Sequence, residues 1–154
     1  MKIRIDLDET LEEEELVIHC RRINDQIQQI QQAVSDICGS SRNLILYKED
    51  KEFYVSIDQI LFFETSEDGI RAHTAEDVFQ TKHRLYELEE LLPGCFMRVS
   101  KSTILNVDRI YSITKNFTST SVVQFDGTVK EVYVSRYYYK ALKIKLEERY
   151  HHEK

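Results

Sequence analysis

The chain predicts a mostly β fold with a few helices, of the α+β class. Three observations carry this. Short runs of strand character recur from Leu44 to Val134 and are separated by turn signals such as Ser66-Glu67-Asp68-Gly69 and Asp126-Gly127. Helical periodicity is confined to three places, around residues 21–38, 85–92 and 136–149. Strands do not alternate with helices, which disfavours a parallel nucleotide-binding sheet. The length of 154 residues supports one domain with a core, or a small domain with an accessory element.

Residues 1–41 read as a small strand-helix module. Ile3, Ile5 and Leu7 alternate with polar residues, as on a half-buried strand, and Leu16 to Cys20 reads as a second strand. The acidic run Glu12 to Glu15 suits a solvated turn or strand edge. From Arg21 the period becomes helical. Ile23, Ile27, Ile30, Val34 and Ile37 follow at steps of 4, 3, 4 and 3, an a/d seam. The seam either packs on the protein's own strands or pairs with the same helix of a second subunit. Gly39 is a natural helix stop, and Gly39-Ser40-Ser41 is the best linker candidate.

Residues 42–150 read as a second domain. Leu44 to Tyr47 and Phe53 to Ile57 flank a polar turn and form a hairpin. Ile60 to Glu64 is a short buried strand, and Ile70 to Thr74 and Val78 to Lys82 are strands around Ala-Glu-Asp. Leu85, Leu88, Leu91 and Leu92 mark a short helix ended by Pro93-Gly94. Phe96 to Ile110 alternates like a strand, yet its middle, Arg98 to Thr103, packs two cations and three hydroxyls into six residues. Strands follow at Ile110 to Thr114, Val122 to Phe125 and Val129 to Val134. Ser135 is a good N-cap for a last helix with Tyr138, Leu142 and Leu146 on one side. His151 and His152 read as a frayed tail.

Composition excludes several functions. No run of about 18 apolar residues offers a membrane span, and the N-terminal residues carry no apolar signal region, so a cytoplasmic protein is expected. Cys20, Cys38 and Cys95 are widely spaced and fit reduced thiols; no zinc spacing, no Gly-rich phosphate loop and no nucleophile–base pair is found. Neither a metal, nor a cofactor, nor catalysis is expected. The formal charge of −6 is uneven. Residues 1–95 hold 10 Lys+Arg against 21 Asp+Glu, net −11; residues 96–154 hold 11 against 6, net +5. Such asymmetry points to a polyanion-binding face.

What remains is a set of cations and hydroxyls at strand ends: Arg71 and His73; Arg98, Ser100, Lys101, Ser102 and Thr103; Lys115 and Asn116; Ser135, Arg136 and Tyr137. Singly, each is more often a solvated surface residue. Four clusters on one small β domain suit a nucleic-acid surface, because arginine and lysine bond guanine edges and hydroxyls hold phosphates.

The order of these segments resembles the LytTR DNA-binding domain of bacterial transcription regulators. The resemblance rests on Ile60-Leu61-Phe62-Phe63-Glu64, Leu85 to Pro93, Phe96 to Asn106 with Asp108-Arg109-Ile110, and Val134-Ser135-Arg136-Tyr137. It implies an elongated multi-sheet β domain that binds double-stranded DNA at promoter repeats. Loops, rather than a recognition helix, reach successive major grooves. The reading loops correspond to Ser66 to Arg71, to the segment around Lys101-Ser102, and to Ser135-Arg136. Arg136 is the first choice for a base contact and Lys101 the second, with Ser102 and Ser135 holding phosphates. Arg98 fits the family pattern in a contact or a structural role. Many members place a histidine where this chain has Ser100. Residues 1–41 are too short for the receiver domain of response regulators, and the chain is similar to the short stand-alone LytTR regulators, often encoded beside a small membrane protein. On that likeness residues 1–41 mediate a homodimer or a partner contact, with Ile23, Ile27, Ile30, Val34 and Ile37 as the dimer seam. The rival reading is a protein-interaction module with little or no DNA binding.

Overall fold

The computed structural model describes residues 1–12, 15–38, 42–116 and 118–151. The chain divides into two units, Met1–Ile37 and Cys38–Lys154.

Among its described residues the first unit contains one helix, α1 (Asp25–Cys38), whose last residue opens the second unit. It begins four residues later than the periodicity suggests, because Asn24 caps it. The Asn24 side-chain oxygen accepts the Ile27 N–H at 2.9 Å, satisfying one of the donors that a helix start leaves open. Ile23 therefore lies outside the helix, and Ile27, Ile30, Val34 and Ile37 remain on it. The expected strands at Lys2 to Leu7 and Leu16 to Cys20 are not formed. A strand exists only when its backbone groups find a ladder, and neither segment has a paired neighbour among the described residues. Ile3, Ile5 and Leu7 are consequently 90%, 82% and 95% exposed. The acidic run is described only at Glu12 and Glu15, and Gly39-Ser40-Ser41 and His152 lie outside the described residues.

The second unit holds ten strands and two helices among its described residues. In chain order they are β1 (Asn43–Lys48), β2 (Lys51–Ser56), β3 (Phe62–Ser66), β4 (Gly69–His73), β5 (Val78–Thr81), α2 (Leu85–Leu91), β6 (Phe96–Ser100), β7 (Thr103–Asn106), β8 (Ile110–Thr114), β9 (Ser121–Phe125), β10 (Glu131–Val134) and α3 (Arg136–His151). A seven-stranded sheet runs β2-β1-β5-β4-β3-β7-β6, and a three-stranded sheet runs β10-β9-β8; every pairing is antiparallel. Phe96 to Ile110 is not one strand. It folds as a β6–β7 hairpin whose turn is Lys101-Ser102, then a 3-10 turn over Val107–Arg109, then the start of β8. The density of small polar residues that looked anomalous in a strand is the composition of a tight turn.

The larger sheet is covered on both faces around β3 and β7. Phe63 and Ile104 point to a core shared with Leu44, Leu46 and the α2 residues Leu85 and Leu88. Their chain neighbours Phe62 and Leu105 point the other way, into a core with Val123, Phe125, Val132 and Val134 of the smaller sheet and Leu142 and Leu146 of α3. Side chains alternate faces along a strand, so a strand buried on both sides reads as a continuous apolar run, which is why Ile60 to Phe63 and Ile104-Leu105 carry no alternation. The Phe62 and Phe125 rings stack across the two sheets with centroids 5.5 Å apart. Asn106 is buried, and its side chain is bonded at both ends: its amide nitrogen donates to the Ile60 carbonyl at 3.0 Å, and its amide oxygen accepts the Asp108 N–H at 3.1 Å.

Candidate nucleic-acid interface

Strand register brings the polar clusters together. β3 climbs from Phe62 to Ser66 and returns as β4 from Gly69, with Ser66 opposite Gly69. Gly69 has φ of +122°, a conformation that a side chain would strain. β7 lies against β3 with Thr103 opposite Glu64, so the Lys101-Ser102 turn sits at the same end of the sheet as the Glu67-Asp68 turn. The two turns are tied by a backbone hydrogen bond, Thr65 N–H to the Ser102 carbonyl, 2.9 Å.

The smaller sheet delivers two more segments to that end. Thr114 pairs with Val122, and Ser121 with Val134, so Lys115 and Asn116 after β8 and Ser135 after β10 leave the same end of the sheet on either side of β9. The Ser135 N–H donates to the Val99 carbonyl of β6 at 2.9 Å, which docks the start of α3 beside the Lys101 turn. The Lys115 ammonium lies 5.3 Å from the centre of the Tyr139 ring of α3, a cation–π approach. Parts of all four clusters, the Asp68–Arg71 turn, the Lys101-Ser102 turn, Lys115-Asn116 and the start of α3, therefore share one end of the domain, held by two sheets.

Within the cluster the side chains differ in freedom. Lys101, Ser102, Lys115, Asn116, Arg136 and Tyr137 are exposed. Tyr137 presents its ring 85% open, edge-on to Tyr138 at 4.9 Å. Ser135 is half-buried; its carbonyl accepts the Tyr138 and Tyr139 N–H groups, both at 3.1 Å, and so starts α3. Arg71 is half-buried and reaches Asp68 across its own turn at 3.4 Å, long for a hydrogen bond.

Arg98 stands apart. Its side chain is only 25% exposed. Its Nε donates to the Ser100 carbonyl at 3.0 Å, one terminal nitrogen to the Lys101 carbonyl, and the other to the Glu89 carboxylate of α2. Three acceptors thus occupy the guanidinium, which holds the shape of the turn that presents Lys101. The strand is bulged between Arg98 and Ser100, turning the Lys101 segment away from the regular pleat. Ser100 adds a second brace, its hydroxyl accepting the Ser102 N–H at 3.2 Å.

His73 belongs to the sheet rather than to this end. It pairs with Phe62, the residue of β3 farthest from the turn, and stacks on the Phe62 ring at 4.2 Å. Burial holds its pKa below the ordinary value, opposed by a 2.7 Å contact from Nε2 to the Glu64 carboxylate. Thr103, opposite Glu64, is likewise half-buried in the sheet. Lys140 escaped the sequence reading. It is exposed one helical turn after Arg136, and the i, i+4 spacing puts both cations on one face of α3. No group of three or more His, Cys, Asp or Glu among the described residues could hold a metal ion.

A family model described as the LytTr DNA-binding domain matches residues 50–147. The chain belongs to the LytTR family. The match spans both hairpin turns, the Lys115 segment and the start of α3, so the LytTR domain contains the whole cluster. An uncharacterised HTH-type transcriptional regulator of Staphylococcus aureus strain NCTC 8325 is 29% identical over 153 residues, covering 95% of this chain and 98% of the relative. A regulator of the same description from the bovine strain RF122 is 31% identical over 148 residues, with the same coverage. A solved LytTr DNA-binding domain from Bacillus cereus superposes with a TM-score of 0.61 at 27% identity, covering 68% of this chain and 95% of that one. The LytTR domain described here contains no helix-turn-helix among its described residues: α2 and α3 are separated by five strands.

Proposed function

We propose that this LytTR protein regulates transcription by binding double-stranded DNA through the loop cluster at one end of its β domain, without inserting a recognition helix. The observation that carries the reading is the convergence of three exposed polar elements, fixed by the Thr65–Ser102 and Ser135–Val99 backbone bonds. Loops on a rigid double sheet can hold several contacts in register on a duplex, and elements too far apart for one groove can reach successive major grooves.

The residues divide by chemistry. Arg136 and Lys101 are exposed cations at the tips of two elements and suit hydrogen-bond acceptors on base edges. Ser102, Ser135, Asn116 and Tyr137 suit phosphate oxygens, and Lys115 and Arg71 add positive charge. Arg98 acts through the turn it braces. No helix among the described residues is long and apolar enough to cross a membrane, and a cytoplasmic site of action follows from DNA as target.

The first unit supports self-association. Ile27, Ile30 and Val34 lie half-buried along α1 with Ile37, which is 82% exposed, and Ile23, 71% exposed, precedes the helix. Two copies joined there place two LytTR domains on repeated half-sites and gain avidity. A membrane protein encoded nearby is a candidate source of the signal. Selection of bound sequences from a random DNA pool, beginning with the promoter of the protein's own operon, tests the DNA reading. Recovery of a repeated element supports it, and affinity that is flat with salt favours the protein-interaction module instead.

A further inference from the structure

The segment Lys2-Ile3-Arg4-Ile5-Asp6-Leu7-Asp8 has two different faces. Ile3, Ile5 and Leu7 alternate with Lys2, Arg4, Asp6 and Asp8, so as a strand it is apolar on one side and charged on the other. Among the described residues it has no ladder. The one backbone–backbone hydrogen bond recorded among residues 1–12 is Leu11 N–H to the Asp8 carbonyl, at 3.4 Å, where Asp8 Oδ1 also accepts the Thr10 N–H and hydroxyl at 2.9 and 2.6 Å to close a turn. Three large apolar side chains stay almost fully open.

The charged face is self-complementary in one arrangement. Its two cations precede its two carboxylates. Laid antiparallel to a copy of itself about Ile5, the segment sets Lys2 against Asp8, Arg4 against Asp6, Asp6 against Arg4 and Asp8 against Lys2. On the other face Ile3 meets Leu7 and Ile5 meets Ile5. A slip of two residues sets Arg4 against Arg4 in one direction and Asp6 against Asp6 in the other. A parallel in-register pair sets every charge against its own kind. A slip of one residue exchanges the faces. Within the chain, Leu16-Val17-Ile18-His19-Cys20 offers no alternating charges to match. In the single chain Arg4 satisfies itself on Asp6 at 2.9 Å with both side chains in solvent, a contact worth little there.

We propose that residues 2–8 form a two-stranded antiparallel ribbon with the same residues of a second copy of this chain, centred on Ile5. The inference rests on the homodimer reading above and gives it a register. A lone two-stranded ribbon is marginal in water. The α1 seam supplies an apolar cover from the same unit, and ribbon and helices together make one interface.

The test uses the full chain and its dimer dissociation constant, measured by sedimentation equilibrium for the parent, Arg4→Asp, Asp6→Arg and the double variant. Two-fold symmetry makes each single change replace two attractive cross-strand pairs by two repulsive ones, so each single variant is expected to weaken the dimer about 10-fold or more. The double variant restores both pairs with the signs exchanged and is expected within about 3-fold of the parent. With Cys20→Ser and Cys38→Ser in place, Ile5→Cys is expected to form a covalent dimer on oxidation and Ile3→Cys is not. A double variant as weak as the singles, or equal cross-linking at both positions, overturns the ribbon. Four equally dimeric proteins overturn it while leaving a dimer through α1, and a monomeric parent overturns the dimer reading as well. Circular dichroism of each variant confirms that the β domain is intact.

Discussion

Arg98→Ala separates a residue that shapes the interface from one that touches DNA. The guanidinium bonds the Ser100 and Lys101 carbonyls and pairs with Glu89. Hydrogen bonds made by a charged group contribute about 1.5–3 kcal/mol each in substitution series. The Glu89 carboxylate is 45% exposed, so that pair counts as a surface ion pair of at most about 1 kcal/mol. Water can replace part of what is lost at a side chain one quarter open to solvent. The expected net loss is therefore about 2 kcal/mol, read from urea unfolding followed by circular dichroism, since the chain has no tryptophan. A loosened turn misplaces Lys101, and DNA affinity should fall roughly 10-fold, about 1.4 kcal/mol. The slope of log affinity against log salt should change no more than it does in Lys101→Ala, because Arg98 itself meets no phosphate. Lys101→Ala should instead leave stability alone. It should make the slope shallower by roughly one unit if the ammonium meets a phosphate, and leave the slope unchanged if it meets a base. Unchanged stability in Arg98→Ala together with a salt slope shallower than that of Lys101→Ala would refute this reasoning and make Arg98 a direct contact.

Other perturbations test the frame around the site. Leu142 is fully buried where α3 meets the sheets, so Leu142→Ala should cost about 2–5 kcal/mol in the same unfolding assay. The β1–β2 turn holds Glu49 and Asp50 at φ of 50° and 63°, a conformation glycine and asparagine tolerate better; Glu49→Asn with Asp50→Gly should stabilise the domain by about 0.5–1 kcal/mol. His73 is held by burial below its ordinary value of 6.5, so below that pH the unfolded chain binds more protons than the folded one. Stability should fall as pH drops below about 6.5, towards the lowered folded value, and the fall should be smaller in His73→Phe, which keeps the stack on Phe62.

Much of the fold was legible because its signals are local. Both early hairpins, the Leu85 helix and the last helix follow from turn residues, apolar spacing and Ser135. The β6–β7 hairpin was harder. Alternation runs through Phe96 to Ile110 as though in one strand, and the bulge at Val99 has no glycine to announce it. The strands expected in residues 1–20 do not form in the chain, because alternation reports an apolar face and not whether a partner strand lies beside it. The site residues could be gathered from residue type and family likeness, but their convergence depends on pairings far apart in sequence, such as Glu64 with Thr103 and Ser135 with Val99. The occupied state of Arg98, the stack of His73 on Phe62 and the bidentate Arg149–Asp108 pair at 2.5 and 2.6 Å are tertiary facts with no local signal.

The central claim, that loops at one end of the β domain read DNA, is tested most directly by titrating the full chain, Arg136→Ala and Lys101→Ala with the sequence selected from the random pool. The account predicts that each substitution weakens binding by about 1–3 kcal/mol, roughly 5-fold to 150-fold, with circular dichroism and unfolding midpoint unchanged. Parental affinity in both variants would contradict it.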